Sequence, residues 1–533
     1  MQDNVYLEHV HIALPRLLSM FDVNPISPLL GVGDRYHWAW KGTDFANGTF
    51  QGAVHGLAVL VAEDMLPKRI CQRAMISRIH SLIRAIPSIT ASNGSLNEIL
   101  PFESSYCVTA LVLFDALRAL DTIEPVVELD EGSLIEALEP LAAFLLSNQE
   151  RHGVISNHLA VAAAALARWH RRSGDQNAQQ VALDTADIIS SNGSSEGWFL
   201  EYSGADAGYQ TLALDYLADL TEVLPETNQT FDLERACDFL SYFAHRDGSF
   251  GGLCGARNTR FLYPAGLEAL AAKNQRGAAA AIAAFARQSH VNLQTVGLLA
   301  MDTPNLVPMF NSFCRAAVSL KKQTASKGFQ TDAWKRLPCF SDVSFRKSFN
   351  DAGVAIVSRP RTYLVINWKK GGAFVASEKV KPGSCKSSQL ADGGPSAEKP
   401  GKSVVYVPTS DHSRNRLISF SEDEIQLETV LVPCATVFPT PFHTIILRVL
   451  CLTFLRVAIL NAWTKKALVW LLISNTGPSI ATCRRTINYT SHVTITDVMS
   501  QKQSGDIRLR QTPSSFSAIH MASQGYWQIG DDQ

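Results

Sequence analysis

The chain has 533 residues, 46% hydrophobic and 18% charged, a balance that excludes wholesale disorder and gives room for two or three domains with a large buried core. A formal net charge of −1 supplies no global field toward nucleic acid or a membrane, so no nucleic-acid partner is expected. The charge is unevenly spread: from Ser326 onward 25 Lys+Arg stand against 15 Asp+Glu, a net of +10, and the preceding part carries −11, which suits two docked domains of different character.

The N-terminus, Met1-Gln-Asp-Asn-Val-Tyr-Leu-Glu, lacks the basic-then-apolar order of a secretory leader, so a cytoplasmic location is expected, or a periplasmic one if a leader has been removed. The ten cysteines, Cys71, Cys237 and Cys385 among them, are scattered singly without a CxxC pair, which reads as reduced and mostly buried thiols.

Residues 1–325 read as repeated helical hairpins. Turns of the form Asn/Asp-Gly-Ser/Thr fall at Asn47-Gly48-Thr49, Asn93-Gly94-Ser95, Asn192-Gly193-Ser194 and Asp247-Gly248-Ser249, with a looser version at His152-Gly153-Val154. Glycine in these turns permits the positive φ that a tight reversal demands. Apolar helices follow the turns, over Tyr106 to Leu120, Leu159 to His170, Tyr209 to Leu220 and Pro264 to Ala272. A repeat of about 50 residues means stacked units that cannot bury their apolar faces alone. Helices rich in Ala and Leu on most faces, Ala160 to Ala167 and Ala278 to Ala286, must be enclosed on several sides. Neither end of the array supplies a polar cap, so closure into an (α/α) toroid is expected.

Near Thr331 the pattern changes. Val354 to Val357, Tyr363 to Asn367, Val404 to Val407 and His492 to Thr496 are short β-branched runs separated by turns such as Gly371-Gly372 and Asp392-Gly393-Gly394. Such runs over 331–533 predict an antiparallel β-sandwich, with the domain boundary between Lys321 and Lys335. Ser384 to Lys402, rich in Gly, Ser, Lys and Pro, reads as an exposed loop. His443 to Ser474 is strongly apolar, but Arg448, Arg456, Lys465 and Lys466 divide it into runs far shorter than the ~20 residues of a spanning helix. The stretch is therefore expected to be buried, with membrane-surface contact by an amphipathic helix over 443–474 as the alternative.

Stacked hairpins gather their turn loops at one end, so polar residues distant in sequence converge there. The first cluster is Ser156-Asn157-His158, where Ser156 is expected to cap a helix whose first turn holds Asn157 and His158. The second runs from Glu201-Tyr202 to Asp206, which is expected to cap the next helix, with Tyr209 in its first turn. The third contains Arg257, Arg260 and Tyr263; Trp38 and Glu103 lie further away.

Helical hairpins followed by a sandwich, with Asn157-His158 at a helix start and Tyr209 in a later hairpin, resemble the heparinase II/III-like polysaccharide lyases, a family that includes alginate and heparan lyases. The resemblance implies an acidic, uronic-acid polysaccharide as partner and β-elimination as chemistry. Asn157 then matches the residue that neutralises the substrate carboxylate, His158 its neighbouring histidine, and Tyr209 the acid or base. Substrate binding falls to Arg257, Arg260, Tyr263, Glu201, Tyr202, Glu103 and Trp38. The family's sandwich histidines are missing after Gly371-Gly372, where Ala-Phe-Val-Ala-Ser-Glu follows, so no metal and no cofactor are expected.

Elimination removes a proton α to a carboxylate and builds a dianionic, enolate-like species. Each preorganised donor to its oxygens is worth about 3–4 kcal/mol in the barrier. Asn157 with Arg257 or Arg260 supplies such donors, and His158, or a Tyr209 phenolate made acidic by a nearby Arg, supplies the base. Structural roles compete with each assignment: His158 as a capping or packing residue, Tyr209 as core, and Arg257 and Arg260 as ion-pair partners of Glu201 or Asp206. The alternative functions are a glycoside hydrolase with two carboxylates drawn from Glu103, Glu201 and Asp206, and a non-catalytic glycan-binding or assembly protein.

Overall fold

The computed structural model describes residues 4–127, 131–150, 153–326, 329–379, 389–399, 405–409, 411–434, 440–457, 460, 463–464, 467, 479, 481–501 and 507–510. Helices come first: α1 (Val5–Leu18), α2 (Arg35–Trp38), α3 (Ala53–Ala62), α4 (Gln72–Ile89), α5 (Tyr106–Ile123), α6 (Glu131–Glu136), α7 (Glu139–Ser147), α8 (Ser156–Ser173), α9 (Gln176–Ser191), α10 (Ala207–Val223), α11 (Leu233–Ser241), α12 (Ala265–Lys273), α13 (Ala278–Val291) and α14 (Leu306–Thr324). Strands follow: β1 (Phe345–Phe349), β2 (Val354–Ser358), β3 (Thr362–Asn367), β4 (Ala373–Glu378), β5 (Gln389–Asp392), β6 (Ala397–Glu398), β7 (Val405–Pro408), β8 (Arg416–Phe420) and β9 (Glu424–Cys434). Helix α15 (Pro441–Leu452) precedes β10 (Ala481–Asn488), β11 (Thr494–Gln501) and β12 (Arg508–Leu509).

The helices close into a ring. Its inner members pack in the order α3, α5, α8, α10, α12, α14 and back to α3, while α1, α4, α7, α9 and α13 lean on it from outside. Ala-rich α8 shows why: residues 160–167 are at most 1% exposed, because their small side chains let α5, α9 and α10 approach together. Closure between α14 and α3 is fixed by Asn311, whose Oδ1 accepts from Gly56 N at 3.0 Å and whose Nδ2 donates to Gly52 O at 2.8 Å. Buried Arg168 of α8 joins the neighbouring helices, donating to Asp219 of α10 at 2.7 and 2.6 Å and to Asp121 of α5 at 2.5 Å. Of the repeated turns, Gly94 has φ 84° and Gly248 φ 89°. Gly48 has no positive φ; there a Cβ would stand 2.9 Å from Leu96 Cβ, so close approach demands the glycine.

Two antiparallel sheets follow, one ordered β1-β2-β3-β4-β5 and the other β11-β10-β9-β7-β6-β12, with β8 on β9. Side chains of the first sheet alternate with the period of a strand. Val354, Ile356, Tyr363, Val365 and Val375 join the core of the helical ring, while Ala355, Val357, Leu364, Ile366 and Phe374 pack with Ile425, Leu427 and Ile487 of the second sheet. Strands β2, β3 and β4 of the first sheet are thus buried on both faces. This is the physical reason they read as continuous apolar runs instead of alternating ones.

The structure departs from two expectations about the C-terminal part. Within the segment read as an exposed loop, residues 389–392 form β5 and 397–398 form β6, and residues 392–397 are buried. Gly394 there packs against Pro408 and Gly371. The apolar stretch read as buried is largely exposed where it is described: Phe442, Ile445 and Val449 of α15 are 68%, 61% and 54% accessible, while Cys451 and Leu455 are buried. No helix among the described residues is long and apolar enough to cross a membrane.

Gly266 of α12 lies against α10, and a Cβ there would stand 2.5 Å from the backbone carbonyl of Leu214. Helix propensity alone makes Gly→Ala favourable by about 1 kcal/mol, but this neighbour is backbone and cannot rotate away. Gly266→Ala is expected to destabilise the protein by about 1–3 kcal/mol, as overpacking does. Chemical denaturation gives the sign directly.

Candidate functional site

The loops ahead of α8, α10 and α12 meet at one end of the ring. Ile155 bridges Glu201 as a short antiparallel pair, and Ser156 sends both its N–H and its hydroxyl to Leu200 O, at 3.0 and 2.8 Å. Ser156 is therefore already helical, and Ile155, not Ser156, holds the N-cap position. Instead of a serine cap, the Glu201 carboxylate accepts from Asn157 N and Asn157 Nδ2, each at 2.8 Å. Burial pushes the Glu201 carboxyl up to about 8, against the lowering effect of the two Asn157 bonds. Next to it, the half-buried His158 ring is held through Nδ1 by Glu150 Oε2 at 2.8 Å. This contact takes up Nδ1 and leaves Nε2 as the ring nitrogen not bound to Glu150.

Asp206 organises the next loop. Its carboxylate caps α10 by accepting from Tyr209 N at 3.2 Å, accepts from Arg257 N at 2.8 Å, and takes the Thr259 hydroxyl. The cap places Tyr209 in the first turn of α10, its ring edge-on to Phe261 with centroids 5.2 Å apart. The Arg257 guanidinium lies 4.1 Å over the ring of Tyr202, a residue in the left-handed region at φ 60°. Burial raises the Tyr209 phenol well above its ordinary range and outweighs the opposing Arg257 charge. The Tyr202 phenol is pushed up to about 12, again mainly by burial. Tyr209 is thus a neutral phenol at neutral pH, which corrects the expectation of an acidified phenolate.

The first sheet completes the arrangement. Lys370, buried in the turn between β3 and β4, donates its ammonium to Leu253 O at 2.9 Å, to Gly255 O at 2.5 Å and to Asn258 Oδ1. Asn367 Nδ2 donates to Cys254 O at 2.8 Å. The loop carrying Arg257 is therefore held from the sandwich side. His412, between β7 and β8, reaches the Ser203 backbone and lies beside Gly204; burial, then the charges of Lys370 and Lys369, bring its pKa down to about 4. His412 of the sandwich thus stands at the mouth of the ring.

Asn157, His158, Glu201, Tyr202, Tyr209 and Arg257 form one connected group; other expected residues do not join it. Arg260 points to the sheet edge, with Nη2 3.5 Å from Gln389 Oε1. Tyr263 is 3% exposed and belongs to the core, edge-on to Phe261, so it offers no binding surface. Glu103 Oε2 accepts from the backbone N–H of Glu98, Ile99 and Leu100 and so holds its own turn. Trp38 gives its indole N–H to Met20 O at 2.7 Å. Glu150, Lys370 and His412 were not anticipated. Only Glu150 carried a signal, as an acidic residue in the loop feeding the helix of His158. Among the described residues no group of three or more His, Cys, Asp or Glu side chains is arranged to hold a metal ion.

The raised Glu201 carboxyl carries a stability signature. The folded state keeps a proton up to about pH 8, whereas the unfolded chain releases it near 4.5, so its contribution is complete below pH 4.5 and is lost as pH rises toward 8. Melting temperatures of the protein and of Glu201→Gln, compared from pH 5 to 9, are expected to show the steeper decline in the unsubstituted protein. Parallel curves would remove the buried-acid assignment.

No family model matches the sequence, and no curated protein matches it. Among solved structures, the chain is similar to a xanthan lyase from Paenibacillus, at 10% identity and a TM-score of 0.45, over 81% of this chain and 45% of that one. It is also similar to heparinase III, at 12% identity and a TM-score of 0.49 over 95% of this chain and 72% of that one. A further heparinase III gene product gives 11% identity and a TM-score of 0.41 over 94% and 71%. The chain spans less than half the length of the xanthan lyase, and these are likenesses of fold.

Proposed function

We propose that the protein is a polysaccharide lyase that opens uronic-acid glycans by β-elimination. The observation that carries the reading is the grouping of an oriented imidazole, neutral phenols and a guanidinium at the mouth of the ring: His158 on Glu150, Tyr209 beside Tyr202, and Arg257 over Tyr202. In the proposed step, His158 Nε2 takes the proton α to the substrate carboxylate. The electron pair of that C–H bond becomes the new C=C bond as the glycosidic C–O bond breaks, and the Tyr209 phenol protonates the departing oxygen. Arg257 faces the carboxylate as its charge grows, with the second amide hydrogen of Asn157 as a further donor. Water returns a proton to Tyr209 and removes one from His158.

Carboxylate chemistry is less well supplied. A hydrolase needs two carboxyl groups free to face the scissile bond, yet Asp206 is engaged with two backbone N–H groups and a hydroxyl, Glu201 is sealed against Asn157, and Glu103 holds its own turn. The basic charge from Ser326 onward suits an anionic polymer, and the engagement of Glu103, Glu201 and Asp206 with other groups suits elimination.

The test is incubation with a panel of uronic-acid polymers while following the absorbance of the unsaturated sugar. His158→Ala and Tyr209→Phe are each expected to lower kcat by about 10²–10⁴-fold. Arg257→Ala is expected to act on kcat and KM together. New reducing ends without unsaturation would indicate hydrolysis instead, and an inert panel would favour a glycan-binding role.

A further inference from the structure

A surface helix ordinarily buries its apolar stripe and shows solvent its polar face. Helix α15 does the reverse. Phe442, Ile445, Ile446 and Val449 follow the i, i+3, i+4, i+7 spacing of a single helical face, and all are exposed, at 68%, 61%, 43% and 54%. The side turned inward carries the anchors: Arg448 pairs with Asp44, Cys451 and Leu455 are 1% and 5% exposed, and the Arg456 guanidinium lies 4.8 Å over Phe102. The helix is therefore fastened to two loops of the ring, the one before α3 and the one before α5, with its apolar stripe facing away from the protein.

Charge selects the occupant of that stripe. The described run 440–457 carries Arg448 and Arg456 and no acidic residue. The adjoining rim has the same character: Tyr36 and Trp40 are 71% and 70% exposed, beside exposed Arg35 and Lys41. Aromatic and aliphatic side chains beside exposed Arg35, Lys41 and Arg456, with the Asp44 carboxylate engaged by Arg448, match the boundary between headgroups and acyl chains of an anionic bilayer. Self-association suits the helix less well, because a two-fold pair would set this acid-free segment against its own copy.

We propose that α15 and the adjoining Tyr36–Trp40 rim dock the protein on an anionic lipid surface, lying in the interface and not crossing the bilayer. Docking there would hold the loops at the mouth of the ring close to the membrane. The proposal stands on the exposed stripe and its charge, independently of the chemistry at Asn157 and His158.

Flotation of the full chain with vesicles tests it. Binding is expected to phosphatidylcholine vesicles containing phosphatidylserine, about tenfold weaker to phosphatidylcholine alone, and weakened by high salt. Ile445→Asp/Val449→Asp places carboxylates on the exposed stripe and is expected to abolish flotation without moving the melting temperature, since neither side chain is packed. Should that variant fail to fold, the lipid and salt dependence of the unsubstituted protein decides alone. Equal binding to both vesicle types, no binding to either, or a dimer in sedimentation that the double variant dissociates would each overturn the proposal.

Discussion

The mouth of the ring depends on a single buried ammonium. Lys370 comes from a turn of the first sheet, yet its three hydrogens go to Leu253 O, Gly255 O and Asn258 Oδ1 of a ring loop. Burial lowers its pKa to about 8, while nearby Asp206 favours the charged form, so the group remains a cation at neutral pH. Hydrogen bonds from a charged donor contribute about 1.5–3 kcal/mol each, and a buried charge without them would be strongly unfavourable. The same loop gives its Arg257 N–H to Asp206, the residue that caps α10 and sets Tyr209 in place. Sheet, loop, guanidinium and phenol are therefore coupled through a short chain of contacts.

Acidic residues at this end of the ring act as organisers of other groups. Glu201 fixes the backbone and side chain of Asn157, Glu150 fixes the imidazole of His158, and Asp206 joins α10 to the Arg257 loop. What remains available for chemistry is the Nε2 of a histidine held at Nδ1, phenols kept neutral by burial, and a guanidinium held over an aromatic face. That inventory suits proton abstraction beside a carboxylate better than it suits a pair of facing carboxyl groups.

Much of the architecture was legible because it rests on local pattern. The Gly turns, the Ala-rich α8 and the continuous runs at Val354 and Tyr363 follow from enclosure, on several sides for a helix and on both faces for a strand. Asn157, His158 and Tyr209 were legible because first-turn positions point back to the loop end of a ring. Lys370 and His412 were not, since their contacts span more than a hundred residues and neither belongs to a local motif. Arg260 and Tyr263 show the complementary limit: the path of an irregular loop, which sequence does not specify, decides that Arg257 meets Tyr202 while Arg260 meets Gln389 and Tyr263 is buried. The α15 segment misled for a different reason, because apolar composition alone does not distinguish a stripe facing the core from one facing outward.

Amide hydrogen exchange in Lys370→Met tests the coupling most directly, because methionine keeps much of the side-chain length and removes only the ammonium. The bonded N–H groups of Gly255 and Arg257 are expected to exchange at least about tenfold faster than in the unsubstituted protein, with amides inside α5 unchanged. Identical protection of the 253–258 loop in a folded Lys370→Met protein would contradict the account, since the loop would then hold Arg257 over Tyr202 without the sheet.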